Sequence, residues 1–392
     1  MNRDLRLVTA SLFVWGIGEG MFLYFQPLYL QQLGADPVQI GAVLGAASLA
    51  MTVAHIPAGA LADHLGRKQL MLASWTLGLV STWVMFLARS LPLFIVGLLA
   101  YWTTSFVMSP MASYITAARG GWSVGRALTT VSAGFNLGAT LGPLAGGQIA
   151  EHLGLRAVYG AAAVLFIFSC LAVVAIRPQA TEPHDGGSRY RALLTRQRFL
   201  GFLGLASAVV FGLYLSWPLT PNFLQNVRQV TLGEIGVFGA LNALGAVTLN
   251  LTLGRLTPRL AYVLAQALVG LSVLFLWRGT GVPWFALGYF LAGAFRTARS
   301  MVTATVQTLV ERSEMGLAYG LAETAQGMAV VLAAPLAGLL YHQSPERPFP
   351  VALGLIAILL LVSLRLAPQA RPASVTAEPG LARPADLGRE TP

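Results

Sequence analysis

Apolar positions fall in long runs broken by short groups of charge, glycine or proline, at roughly 6–30, 38–62, 69–88, 92–118, 125–149, 155–176, 199–225, 234–255, 260–277, 282–308, 316–341 and 349–366. Each run is close to the ~20 apolar residues that carry a helix across a bilayer core. The pattern predicts an all-α membrane protein with twelve transmembrane helices. The longest internal polar stretch, Arg177 to Arg198, divides the runs six and six. It predicts an N-terminal six-helix half over 1–178, a cytoplasmic linker over 179–198 and a C-terminal six-helix half over 199–368. The tail 369–392 has too little apolar content to pack and is expected to be disordered.

The halves resemble each other, as expected where a membrane protein is built from a duplicated unit. Shifted by 195 residues, Gln39-Ile40-Gly41 meets Glu234-Ile235-Gly236, and Gly59-Ala60-Leu61 meets Gly254-Arg255-Leu256. With small gaps, Pro27-Leu28-Tyr29-Leu30-Gln31 meets Pro221-Asn222-Phe223-Leu224-Gln225, and Pro143-Leu144-Ala145-Gly146 meets Pro335-Leu336-Ala337-Gly338. Any one match is weak. Four in the same order favour two pseudo-symmetric bundles.

Composition narrows the class. The chain is 56% hydrophobic and 10% charged, against roughly 25% charged in a soluble domain. Its formal net charge of +10 does not read as a nucleic-acid surface, because the basic residues sit in short gaps between apolar runs and not on one solvated face. With the N-terminus cytoplasmic, 18 basic residues fall on the cytoplasmic side and five, Arg89, Arg156, Arg228, Arg278 and Arg347, on the other. The positive-inside rule therefore places both termini in the cytoplasm, in a cell membrane of the bacterial inner type. The first apolar run is too long for a signal-peptide core and lacks an A-x-A-like site, so it is expected to stay as the first helix.

The single cysteine, Cys170, admits no internal disulfide and reads as a small core residue. No His-Glu-x-x-His, Gly-x-Ser-x-Gly or phosphate loop appears, so neither an enzyme, a cofactor, a metal nor an ATP-driven pump is expected.

Four intramembrane charges stand out. Glu19 sits in Trp15-Gly16-Ile17-Gly18-Glu19-Gly20, near the middle of the first run, with glycines that leave room around it. Arg296 and Arg299 lie three residues apart on one helix face of the tenth run, and Glu323 lies in the eleventh. At about 3 kcal/mol each, four such charges would cost roughly 12 kcal/mol unpaired, so they must be paired, hydrated or, for the acids, protonated. Counting inward at 1.5 Å per residue predicts Arg299 paired with Glu323, and Glu19 facing Arg296 across a polar cavity. Glu19 is then a proton-carrier candidate or a fixed counter-ion. Trp15, Phe22, Tyr24, Phe25, Trp102, Tyr214 and Trp217 are candidates for an aromatic cavity wall. His55, Asn136, Asn242, Asn250 and Gln326 read as contacts between helices.

Two motifs carry a family resemblance. Between the second and third runs stands Gly59-Ala60-Leu61-Ala62-Asp63-His64-Leu65-Gly66-Arg67-Lys68, which resembles the Gly-x-Leu-Ala-Asp-x-x-Gly-Arg-Lys cytoplasmic loop of the major facilitator superfamily. The resemblance implies a conformational switch loop carried by Gly59, Asp63, Gly66, Arg67 and Lys68. The second half has Pro258 at the aspartate position, which confines any such switch to the first half. In the fifth run Gly138, Gly142 and Gly146 form a stripe for close helix approach, beside Pro143 and Gly147. This is similar to the Gly-x-x-x-Gly-Pro-x-x-Gly-Gly pattern of the superfamily's proton-coupled antiporters, and the chain is nearest in motif to its twelve-helix multidrug and solute antiporters. One departure weakens that transfer. Drug antiporters of the superfamily usually carry an arginine inside the fourth span, and Leu91 to Ala118 holds none.

The resemblance implies a monomeric secondary transporter in a lipid bilayer, with export of a small-molecule substrate against protons. The alternative is uptake or facilitated transport of a small anionic metabolite or sugar-like solute without proton antiport. The resemblance also places the first, fourth, seventh and tenth helices around a central cavity, and Glu19 in it.

Overall fold

A computed structural model describes residues 1–179, 196–310 and 314–366, with 56–65, 316 and 366 described by backbone alone. Within these residues the chain is helical and has no strand. The first group of helices is α1 (Arg3–Leu23), α2 (Gln26–Gln32), α3 (Pro37–Leu65), α4 (Arg67–Leu87), α5 (Leu91–Thr103), α6 (Met108–Ala117), α7 (Val124–Leu153) and α8 (Leu155–Val174). The second is α9 (Gln197–Tyr214), α10 (Thr220–Asn226), α11 (Leu232–Leu253), α12 (Pro258–Arg278), α13 (Val282–Ala292), α14 (Ala294–Val306), α15 (Met315–Gln343) and α16 (Pro348–Leu366).

Ten of the described helical segments are long and apolar enough to cross a membrane, with α5 and α6 counted together and α9 and α10 counted together. The protein is an integral membrane protein. The two predicted spans outside that set are α7, with its glycines, and the α13/α14 pair, with Arg296 and Arg299. Both give up hydropathy for other tasks described below.

Several predicted spans are interrupted. The first run ends as α1 at Leu23 and resumes as α2, with Pro27 in the first turn. The seventh does the same, α9 giving way to a 3-10 turn at Trp217–Leu219 and then α10, with Pro221 in its first turn. Proline fits the first turn of a helix because its missing N–H is unpaired there anyway. The fourth run is divided by a 3-10 turn at Thr104–Val107, and the tenth by Gly293.

Helix neighbours recur between the groups. In the first, α1 packs on α7 and α8, α4 on α8 and α5, and α3 on α5. In the second, α9 packs on α15 and α16, α12 on α16 and α13, and α11 on α13. The groups meet through α3 against α15 and α7 against α11. Glycines permit both crossings. A Cβ on Gly41 would stand 2.5 Å from the Ala334 carbonyl oxygen, and one on Gly236 2.4 Å from that of Pro143.

The segment between α3 and α4 turns on Gly66, at φ 85°, a conformation that favours glycine. Gly59 is described by its backbone alone, and the side chain of Asp63 is outside the description. Arg67 Nη1 donates to Gln179 Oε1 at 3.5 Å and Lys68 Nζ to the Val174 carbonyl at 3.0 Å, so Lys68 holds the end of α8 and Arg67 the segment that follows it. The linker over 180–195 and the tail over 369–392 also lie outside the described residues.

Candidate functional site

A cavity of about 400 Å³ lies between the two helix groups and is lined by Glu19, Tyr24, Trp102, Asn136, Tyr214, Trp217, Asn242, Phe295, Arg296 and Arg299, among others. Its size is that of a small-molecule site.

Glu19 is held from one side. Its Oε2 accepts the Tyr101 hydroxyl at 2.7 Å and the Trp15 indole N–H at 3.2 Å. Tyr101 is buried on α5, and Trp15 stacks on Phe166 at 4.0 Å between ring centres. Both bonds fall on one oxygen, and among the described residues Oε1 has none. The glycines around Glu19 do not leave open room. A Cβ on Gly16 would lie 2.4 Å from the Phe135 carbonyl oxygen, one on Gly18 2.5 Å from the Phe166 ring and one on Gly20 3.0 Å from the Ala139 carbonyl oxygen. Their hydrogens let α7 and α8 close on α1, and that closeness leaves the carboxylate only the cavity side. Trp15 accordingly belongs to the support behind Glu19 and not to the cavity wall.

The glycine stripe of α7 faces the same contact. Cβ atoms on Gly138, Gly142 and Gly146 would stand 2.1, 2.3 and 2.2 Å from the carbonyl oxygens of Phe13, Ile17 and Met21. Gly147 turns the other way, its Cβ position 2.9 Å from the Gly236 Cα on α11. Pro143 lies inside α7 and contributes to both contacts, beside Gly20 and Gly236.

Arg296 and Arg299 enter from α14. Arg299 Nη2 meets Glu323 Oε2 at 2.6 Å, with the two side chains 27% and 54% exposed. Arg296 is exposed, and its Nη1 donates to Asn136 Oδ1 on α7 at 3.0 Å. Among the described residues no carboxylate lies within 4 Å of the Arg296 guanidinium. Glu19 and Arg296 thus share the cavity without forming an ion pair. Asn136, expected only to join helices, joins the two groups by capping Arg296. Asn242 joins helices too, accepting from the Tyr24 hydroxyl at 3.0 Å and donating to the Tyr289 carbonyl at 2.8 Å. His55 lies on an exposed part of α3. Among the described residues no three His, Cys, Asp or Glu side chains form a metal site.

At the end of the cavity lined by Pro27 and Pro221, hydrogen bonds join α2 to α10. Asn222 on α10 donates to the Pro27 carbonyl at 3.2 Å and to Gln31 Oε1 at 2.6 Å, and Asn226 donates to the same Oε1 at 3.0 Å. Alongside, Glu151 Oε2 accepts the Gly233 N–H at 2.5 Å. Away from that end the groups are also hydrogen-bonded between cavity-lining residues, Tyr24 to Asn242 and Asn136 to Arg296. Tyr101 and the Asn222–Gln31 clasp were not singled out in the sequence, because their partners lie 82 and 191 residues away.

The model of the Major Facilitator Superfamily matches residues 8–217 and again 202–389. Multidrug resistance protein MdtG of Salmonella typhimurium (strain LT2) is 30% identical over 337 residues, covering 79% of this chain and 80% of its own. An uncharacterized MFS-type transporter of Methanocaldococcus jannaschii is 29% identical over 157 residues, 40% of this chain, and the chain spans 41% of that relative's length. For MdtG of Salmonella choleraesuis the span is 45%. The crystal structure of the nucleoside transporter NupG superposes with a TM-score of 0.77 at 14% identity, covering 93% of this chain and 99% of that one. The human organic anion transporter MFSD10 gives 0.61 at 17%, covering 92% and 99%. At such identities these structures speak for the fold alone. The chain belongs to the Major Facilitator Superfamily.

Proposed function

We propose that this protein is a secondary active transporter that exports a small organic solute by alternating access, with Glu19 as its proton site. In this reading twelve helices cross the membrane in two six-helix bundles, over 1–178 and 199–368, and the cavity lies between them. Both termini are cytoplasmic, so the α2/α10 end faces outward and the solute enters from the cytoplasm. The observation that carries the reading is a cavity shared by both helix groups, bridged at one end by hydrogen bonds between α2 and α10, with a carboxylate on one group and an arginine on the other. Export draws support from the likeness to MdtG and from the glycine pattern of α7. The Gly59–Lys68 segment, where α3 turns into α4, acts as the cytoplasmic switch, the protein works as a monomer, and the membrane is a bacterial-type inner one.

A second reading, uptake of an anionic solute without proton antiport, is favoured by the lack of a carboxylate beside Arg296. Proteoliposomes loaded with a pH dye and given an imposed proton gradient separate the two. Export coupling requires that an added solute move protons in wild type and not in Glu19→Gln. Solute movement at equal rates in both proteins, without proton flux, selects the second reading.

A further inference from the structure

The charges facing the cavity do not cancel one another locally. Arg299 is neutralised by Glu323 at 2.6 Å, which leaves one cation, Arg296, and one anion, Glu19. Both are capped by neutral groups: Glu19 by a phenol and an indole on Oε2, Arg296 by the Asn136 carboxamide. Glu19 Oε1 and the rest of the Arg296 guanidinium remain without partners among the described residues. They come from opposite helix groups and line one cavity.

We infer that the solute is a zwitterion with an apolar body, its ammonium group on Glu19 Oε1 and its acidic group on Arg296. This rests on the export reading above and names the substrate class for it. A purely cationic solute would leave Arg296 uncancelled. A purely anionic one would leave Glu19 uncancelled unless a proton came too, and then proton and solute would travel together and not in exchange. A zwitterion satisfies both charges and competes with the proton for one oxygen. As its ammonium reaches Oε1, the Glu19 carboxyl releases its proton to the water of the cavity, one proton for one solute, and no other charge changes. The groups facing Glu19 are Tyr101 from α5, Trp15 and Tyr24 from its own chain segment and, across the cavity, Arg296 from α14. Among these only Arg296 carries a permanent charge, and the carboxylate of Glu323 is already paired with Arg299. Tyr24, Trp217 and Phe295 supply the apolar wall, and aromatic faces suit an organic body beside a cation.

Two probes with short and long charge separation, phenylalanine and 4-(aminomethyl)benzoic acid, test this on the purified full chain. Each is compared with its amide, which lacks the acid, and its N-acetyl derivative, which lacks the ammonium group. Binding is followed by tryptophan fluorescence, since Trp102 and Trp217 line the cavity. A hydrogen-bonded charged contact implies that at least one zwitterion binds ~10-fold or more tighter than either derivative. Arg296→Gln is expected to bring it down to the affinity of its amide, and Glu19→Gln to that of its N-acetyl derivative. Equal binding of all three forms, tighter binding of either derivative, or no binding of either zwitterion overturns the inference. The comparison among ligands is made on wild type and does not depend on a variant folding. If another solute still drives proton flux through Glu19, the export reading survives the loss of this one.

Discussion

Replacing Gly142 with alanine should loosen the protein through the contact that holds Glu19 in place. The added methyl would stand 2.3 Å from the Ile17 carbonyl oxygen and 2.9 Å from both the Gly20 Cα and the Met21 N–H nitrogen. These are backbone atoms of α1, so no rotamer change relieves the overlap. Restoring ordinary contact moves the helices apart by about 1 Å, and a gap of that size forfeits up to half the dispersion energy along the seam. Overpacking of this kind costs about 1–3 kcal/mol, and a rigid partner argues for the upper end. With ~0.8 kcal/mol/K of unfolding entropy for a chain of this length, about 3 kcal/mol lowers the unfolding midpoint by about 4 °C. The control is Gly204→Ala on α9, where a Cβ meets nothing within 4 Å and helix propensity predicts a gain of about 0.5–1 kcal/mol. Thermal unfolding of the detergent-purified proteins, read by intrinsic fluorescence and by monodispersity, gives both numbers. A Gly142→Ala midpoint within ~1 °C of wild type, or one that moves with Gly204→Ala, would refute the reasoning.

Further substitutions probe the other contacts. Tyr101→Phe removes the 2.7 Å donor to Glu19 while keeping the ring, a loss of about 1–3 kcal/mol at a charged acceptor. The pH profile of solute-driven proton flux should move in it, and should stay put in Tyr159→Phe, whose buried hydroxyl has no hydrogen-bond partner among the described residues. Asn222→Ala deletes two of the bonds that join α2 to α10. At about 1.5 kcal/mol it should raise the population open at that end roughly tenfold. Labelling by an impermeant maleimide at Ser216→Cys, in a Cys170→Ala background, measures that opening, and an unchanged rate counts against closure at that end. Arg299→Gln breaks a pair that water already reaches on both sides, so it should cost under about 1 kcal/mol; a larger drop in thermal stability would show the pair to be structural.

The hydropathy pattern located the helices because burial in lipid acts on whole runs of residues. It did not show the breaks at Leu23–Gln26, Thr104–Val107 and Gly293, because no charged residue marks them and the apolar runs continue on both sides. Pro27 and Pro221 were visible as matching positions, yet their consequence, a short helix bonded across one end of the cavity, depends on a partner from the other group. The Arg299–Glu323 contact could be anticipated from depth alone, since two long side chains tolerate an error of several ångströms. The surroundings of Glu19 could not. Glycine spacing looks the same whether it leaves a void or admits a neighbouring backbone, and here Phe135, Ala139 and Phe166 fill the space. Tyr101 gave no signal in its own stretch, where Trp102 beside it is the more conspicuous aromatic.

The way the two cavity charges are supported bears on what they can do. A carboxylate at this depth costs about 3 kcal/mol, and two hydrogen bonds to an ionised acceptor return about 1.5–3 kcal/mol each. Glu19 therefore needs no arginine to be tolerated, and Tyr101 with Trp15 is enough. Arg296, exposed to the cavity, needs still less, and one carboxamide from α7 orients it. Had the two met directly at about 3 Å, their attraction at an effective dielectric of 20 would be roughly 5 kcal/mol, and any solute or proton would have to break it first. Neutral caps keep both charges oriented and available at once. They also divide the work between the helix groups: the phenol and indole that hold Glu19 belong to the group that carries it, whereas the carboxamide that holds Arg296 belongs to the opposite one. In the proposed reading, a solute that draws Arg296 from Asn136 loosens a bond between the groups at the level of the cavity, which makes occupancy and the relative motion of the groups parts of one equilibrium.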